Sequence, residues 1–364
     1  MNVLKVAAVN VLVLLLGLVV VELVFGTWFS EVHALHQFTK PRNVHLVHKN
    51  PLSDTPPEIR YTRDDNGFRG LDTSVDKIDL ITVGGSTTDQ RWIDDSETFQ
   101  AVLKSQFKKD GKDIHVANAG IDGQSTFGHI HNFSSWLKNI DGLKTRYILY
   151  YVGINDIMKT NPDGTFDTIA ADNSRLKLQL FIREKSALYQ LYLISRRILV
   201  PDKYDHSLDR RNIATDGPFA TKGNIRDYNL PEFTASLKAL DERITELASL
   251  TRALGAKPIF VTQRSARWKS ANGEIVGISD YKPDFHEEAF RKFGSVNGVD
   301  IYNIERRIAD TVLTACGNAG AICLDLMSEI QFDIGQDFYD PIHTTPAGSR
   351  VIGEYLHERL KPLL

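Results

Sequence analysis

Three times in this chain an apolar run suited to a buried strand stops at glycine and gives way to an amphipathic stretch. The first run is Ile78-Asp79-Leu80-Ile81-Thr82-Val83, followed at once by Gly84-Gly85-Ser86-Thr87-Thr88. A helix is expected near 97–109, where Phe99, Leu103 and Phe107 share one face and Gly111 ends the pattern. The second run, Asp113–Ala117, enters Asn118-Ala119-Gly120-Ile121-Asp122-Gly123-Gln124-Ser125-Thr126, with a helix to follow near 125–139. The third, Arg146–Val152, is unbroken and apolar, as a parallel strand buried on both faces should be, and it ends in Gly153-Ile154-Asn155-Asp156. Pro258–Thr262 and Val299–Ile304 read as strands four and five. Between strands three and four, Leu237, Leu240, Ile244, Leu247, Leu250 and Leu254 mark a helix over 232–254, closed by Gly255. Thr345 as N-cap and Pro346 at the first helical position start a last helix that runs to about Leu360. Strands alternating with helices imply an α/β fold, a mostly parallel sheet with helices on both faces. Ligands in such sheets bind at the carboxyl ends of the strands, which is where Ser86 falls.

The first residues constrain the compartment. From Val6 to Phe25 the single charge is Glu22, and about 20 apolar residues are enough to cross the hydrocarbon core of a bilayer. The run exits through Leu23-Val24-Phe25-Gly26-Thr27-Trp28, with no small-x-small cleavage site, so 1–26 reads as an uncleaved anchor with Trp28 at the interface. Lys5 favours a cytoplasmic amino terminus; Lys40 and Arg42 on the far side oppose it. Cys316 and Cys323 are close together in a glycine-containing segment, a spacing that suits a local disulfide outside the cytosol. Residues 27–60 read as a membrane-proximal stalk carrying two H-x-x-H pairs, His33/His36 and His45/His48. Without accompanying cysteines or carboxylates these make a poor metal site. The folded domain then spans 61–364 with an insertion at about 160–232. Within it, Leu176–Leu199 is apolar and helical, and Arg183, Lys185, Arg196 and Arg197 would permit a membrane-facing helix. A formal net charge of −3 offers no electrostatic case for nucleic acid.

Four strand-end or loop stretches, taken in order, resemble the four motif blocks of the SGNH hydrolases, also called GDSL-type esterases. They are Ser86 in Gly-Gly-Ser-Thr-Thr, Gly120 in Asn-Ala-Gly, Asn155 in Gly-Ile-Asn-Asp, and Asp340 with His343 in Asp-Pro-Ile-His. The resemblance covers roughly 77–362 apart from the insertion. With the anchor and the Asn66-Gly67-Phe68-Arg69-Gly70 lead-in, it is closest to the family's membrane-anchored, extracytoplasmic branch. It implies a flavodoxin-like three-layer sandwich and a serine nucleophile. Ser86 would attack, His343 would take its proton, and Asp340 would hold the imidazole. The Ser86 and Gly120 N–H groups and the Asn155 amide would stabilise the oxyanion. One departure stands out: the family's common first block is Gly-Asp-Ser, and here Gly85 replaces the aspartate. Gly-x-Ser-x-Gly is absent, which argues against the other fold that carries this triad.

These readings converge on a serine esterase that removes acyl groups, acetyl first among them, from a cell-envelope polysaccharide or related glycan. An O-acyltransferase would use the same acyl-enzyme; a lipid esterase or thioesterase would suit the anchor; an idle glycan-binding or assembly subunit would keep the fold without the chemistry. Arg264, Arg267 and Trp268, just after strand four, are candidates for binding an anionic or sugar substrate. No metal or organic cofactor is implied. The expected partners are the ester substrate and a lipid bilayer through residues 6–25. The expected location is a single-pass membrane protein with its catalytic domain outside the cytosol.

Overall fold

A computed structural model describes residues 3–30, 35, 42–53, 56–163, 166–167, 174–199, 218–279 and 288–364. His33 and His36, and the side chains of Arg196 and Arg197, lie outside the described residues. The chain forms two compact units, Met1–Thr39 with Ile169–Ser207, and Lys40–Thr168 with Leu208–Leu364. In chain order the helices include α1 Val3–Phe25, α2 Ser86–Asp89, α3 Phe99–Lys109, α4 Thr126–Ser135, α5 Ser174–Lys185, α6 Ala187–Leu199, α7 Pro231–Ala253, α8 Gly298–Asn318 and α9 Pro346–Leu360. The strands are β1 Val44–Lys49, β2 Glu58–Arg63, β3 Ile78–Gly84, β4 Val116–Asn118, β5 Thr145–Val152, β6 Phe219–Ala220, β7 Lys257–Thr262, β8 Trp268–Ala271, β9 Glu274–Ile278 and β10 Ile322–Leu324.

The first unit holds α1, α5 and α6. Helix α1 is long and apolar enough to cross a membrane, and none of its residues is buried. The apolar piece expected over Leu176–Leu199 is two helices that meet at Ser186.

The second unit is built on five parallel strands in the order β4-β3-β5-β7-β10. Counted within the sheet this is 2-1-3-4-5, the flavodoxin-like order, and it reverses between β3 and β5. The alternation of side chains along each strand supplies both faces. Leu80, Tyr147, Leu149, Tyr151, Ile259 and Val261 share a core with Phe99, Leu103 and Phe107 of α3 and Ile352 and Leu356 of α9. On the opposite face Tyr150 stacks on Phe260 with ring centroids 4.9 Å apart, and its hydroxyl meets Thr251 of α7 at 2.6 Å. Thr98 caps α3 through the Ala101 N–H, and Thr345 caps α9 through the Gly348 N–H.

Two expectations are corrected here. Val299–Ile304 is the first turn and a half of α8, not a strand. Asn297 and Asp300 form a reciprocal capping box that starts the helix, and Ile301, Ile304, Ile308, Val312 and Ala315 bury one helical face. The fifth strand is the three-residue β10, whose Cys323 is joined to Cys316 of α8 by a disulfide. The stalk expected over 27–60 stops short of 60, because β1 pairs antiparallel with β2 in the second unit. His45 and His48 stand on β1 at odd spacing and so point to opposite faces.

A disulfide across a separation of seven residues restricts the denatured chain by about 2 kcal/mol. Reduction should therefore lower the urea midpoint of the detergent-solubilised protein without changing the slope. An unchanged midpoint would mean that the reduced loop is already restricted when unfolded.

Candidate active site

β3 and β5 end side by side, Gly84 opposite Tyr151, at the point where the strand order reverses. The chain leaves β3 through Gly85 into the short α2, whose first residue is Ser86. Ser86 Oγ lies 2.7 Å from His343 Nε2, and His343 Nδ1 lies 2.6 Å from Asp340 Oδ2. The other Asp340 oxygen accepts the Ile342 and His343 backbone N–H groups at 2.8 and 2.7 Å. A carboxylate so held can face the imidazole in one orientation only. Tyr339 stacks parallel to the imidazole, centroids 5.6 Å apart.

The electrostatics follow from burial and neighbours. Burial alone would pull His343 down; the Asp340 carboxylate, with Asp122 and Asp89 beyond it, overcomes this and holds it above its ordinary value. Burial pushes Asp340 up, but the facing His343 and the backbone N–H donors bring it below the usual carboxylate range. Burial pushes the Tyr339 hydroxyl well up, helped by Asp340, so it stays neutral beside the pair.

Asn155 sits in the turn that follows β5, and both its neighbours are anchored. Ile154 N–H donates to Gln263 Oε1 at 2.9 Å. Asp156 is buried and accepts the Thr126 N–H and hydroxyl at 3.1 and 2.6 Å, with Arg243 of α7 at 3.4 Å. The Asn155 amide donates to the Gln124 carbonyl at 2.9 Å. It also lies hard against the nucleophile turn: a Cβ on Gly85 would stand 2.2 Å from Asn155 Nδ2 and 2.9 Å from the Gln124 oxygen. A side chain at 85 would therefore occupy the place of the amide.

Gly120 is placed differently from the expectation. Its N–H donates to Asn118 Oδ1 at 2.8 Å and is already satisfied. Three residues on, Gly123 has φ +73°, and its N–H makes no hydrogen bond among the described residues. It precedes Gln124, the carbonyl that holds Asn155.

Arg264, Arg267 and Trp268 are not at a binding surface, and their expected substrate role is corrected. They are 4%, 2% and 3% exposed. The Arg264 guanidinium lies 3.8 Å from the Trp268 ring centroid and donates to the Trp268 carbonyl at 2.6 Å, while the indole N–H donates to buried Glu305 at 2.7 Å. Burial pulls Arg264 down to about 10 against the opposing pull of Glu305 and Tyr151. The trio is buried where the chain passes from β7 to β8.

Several positioning residues carried no sequence signal. Gln90 donates to Thr344 and Ser349 and accepts the Phe99 N–H, linking the end of α2 to the histidine loop and to α3. Gln263 donates to Thr87 Oγ1 at 2.7 Å while holding Ile154, so one amide spans the turns of Ser86 and Asn155. Beneath α2, buried Arg63 and Tyr61 both hold Asp89 Oδ1, at 2.7 and 2.8 Å. Buried Arg69 donates to the Asp89, Gln90 and Ile93 carbonyls. Residues 61–69 are therefore the support on which the nucleophile helix rests.

Among the described residues no group of His, Cys, Asp and Glu could hold a metal ion. No family model and no curated protein matches the chain. Solved structures are similar to it at low identity. One is a psychrotrophic esterase from Pseudoalteromonas sp., 10% identical over 78% of this chain and 96% of the other, TM-score 0.42. Another is a GDSL-like lipase from Bacteroides thetaiotaomicron, 12% identical over 81% and 92%, TM-score 0.39. A third is a variant of an acetyl xylan esterase from Geobacillus stearothermophilus, 12% identical over 78% and 96%, TM-score 0.38. The solved structures this chain is similar to thus include GDSL-type lipases and esterases.

Proposed function

We propose that this protein is a serine esterase of the SGNH type, anchored by α1, with its catalytic unit outside the cytosol. The observation that carries the reading is the relay Ser86–His343–Asp340, at hydrogen-bond distance throughout and set where the strand order reverses. His343 accepts the Ser86 proton as the hydroxyl oxygen attacks the ester carbonyl. Asp340 stabilises the imidazolium, and His343 then passes the proton to the leaving alcohol. Water, activated by the same imidazole, releases the acyl group from Ser86. The oxyanion faces the Ser86 N–H, the Asn155 amide and the N–H of Gly123, which takes the part expected of Gly120. The Cys316–Cys323 disulfide supports an oxidising compartment, and that compartment together with the anchor supports an envelope glycan carrying small acyl groups, acetyl first, as substrate.

The test pairs chemistry with identity. A fluorophosphonate should add to the Ser86-containing peptide, seen as a mass increase absent from His343→Ala. Acetate should be released from O-acetylated envelope polysaccharide. Labelling without acetate release would move the substrate to a lipid or thioester, or the acceptor to a sugar hydroxyl. Absence of labelling would overturn the nucleophile.

Asn155→Ala should cost roughly 10²–10³ in kcat with little change in KM, the loss usual for one oxyanion donor. Gly85→Asp should cost about as much by displacing that amide, and the double variant little more than either alone, because both remove one interaction. Additive losses would show that Gly85 acts on something other than Asn155.

A further inference from the structure

Helix α1 ends in more structure than a tether requires. Its one acid, Glu22, accepts hydrogen bonds from Ser186 Oγ at 2.5 Å, from the Ala187 and Leu188 N–H groups at 3.1 Å each, and from Trp28 Nε1 at 2.7 Å. Ala187 and Leu188 open α6, so the carboxylate satisfies N–H groups that have no partner within that helix and meets the positive end of its dipole. Thr27 adds two bonds to the end of α5, from its N–H to the Lys185 carbonyl at 2.9 Å and from its hydroxyl to the Glu184 carbonyl at 3.1 Å. Lys185 Nζ donates to the Ser30 carbonyl, and Trp28 packs edge-on against Phe181 at 6.2 Å. The corner between α5 and α6 is therefore fixed to the carboxyl end of α1. Glu22 is three residues from that end, a rise of about 5 Å.

The same two helices expose apolar side chains. Leu178, Phe181 and Ile182 recur at helical spacing on α5, and Leu191, Tyr192 and Ile194 follow on α6; Leu178 and Leu191 are 59% and 57% exposed. Exposed Arg175 and Arg183 flank the α5 group. At thirteen residues α6 is about 20 Å long, too short to cross a hydrocarbon core of about 30 Å.

We propose that the α5–α6 pair is an interfacial membrane element. Its exposed apolar side chains enter the outer part of the acyl layer, while Arg175 and Arg183 reach the headgroups. The occupant is lipid and not a protein groove, because the hydrogen bonds through Glu22 and Thr27 set the α5–α6 corner at the depth where α1 leaves the hydrocarbon. The inference rests on the reading of α1 as a bilayer-spanning helix.

The test uses the full chain in phosphatidylcholine–phosphatidylglycerol vesicles. An environment-sensitive fluorophore is placed on Leu14→Cys, Leu178→Cys, Leu191→Cys or Lys238→Cys, the native cysteines being paired. Brominated lipids should quench Leu14→Cys strongly. They should quench Leu178→Cys and Leu191→Cys to within about a factor of two of that loss, and leave Lys238→Cys unchanged. Quenching at Leu14 without quenching at both Leu178 and Leu191 overturns the interfacial element and leaves the anchor standing. Absence of quenching at Leu14 overturns the anchor, and the interfacial assignment with it.

Discussion

Ser86→Ala is expected to lose about 10⁴-fold or more in turnover while unfolding at the same denaturant concentration as the parent. The two halves have separate causes. Ser86 is half-buried, and among the described residues its hydroxyl hydrogen-bonds to one side chain, His343, through Nε2. Gly85, Thr87 and Asp89 hold the nucleophile turn through their own contacts, with Asn155, Gln263 and Arg63. Losing the nucleophile leaves only binding and oxyanion stabilisation, which by themselves retain a small part of a triad's rate enhancement. Ester hydrolysis and a urea titration on the same preparation check both halves. Turnover within tenfold of the parent would remove Ser86 from the chemistry, and a lowered midpoint would show that its hydroxyl supports the fold.

Asp340→Asn should cost about 10⁴-fold in kcat, through the imidazole tautomer and not through position. The Ile342 and His343 N–H groups donate to Oδ1, so the asparagine oxygen takes that place and its NH₂ faces His343 Nδ1. A donor there makes Nδ1 an acceptor and leaves the proton on Nε2, where it points at Ser86 and cannot receive a second one. The pH profile supplies an independent sign. The working base is neutral His343, held above its ordinary value by the Asp340 carboxylate, so kcat/KM of the parent should fall as pH drops through a value above that of a free imidazole. Without the carboxylate, burial is the largest remaining influence and acts downward. The acid limb of the variant's residual activity should therefore move to lower pH. A limb that stays where the parent's lies would mean that another group is being titrated.

Much of this site was legible because the relevant signals are local. The stop at Gly84-Gly85 and the unbroken run Arg146–Val152 place two strand ends, and each carries a polar site residue two or three positions on. The misreadings have physical reasons of the same scale. Val299-Asp300-Ile301 alternates like the start of a strand and is rich in β-branched residues, and only the capping pair Asn297 and Asp300 with the later i+4 spacing marks a helix. Both Gly120 and Gly123 lie in one glycine-rich turn. Which N–H is free depends on Asn118, whose side chain folds back two residues, and no pattern in the turn declares that. Arg264, Arg267 and Trp268 look like exposed recognition residues by type. Cation–π contact and Glu305, some forty residues away in sequence, draw them inside.

Periodicity, turn chemistry and length act over a few neighbours, and they were enough to specify the α/β class, the apolar amino-terminal helix and the residues of the relay. The tertiary structure alone decided how those residues become a site. The 2-1-3-4-5 order brings the ends of β3 and β5 together. Gln90 and Gln263 bind turns that are far apart along the chain. Close packing against Asn155 leaves no room for a Cβ at Gly85. Each of these is a contact across a long stretch of chain, and the energy of such a contact depends on what the rest of the fold places opposite it.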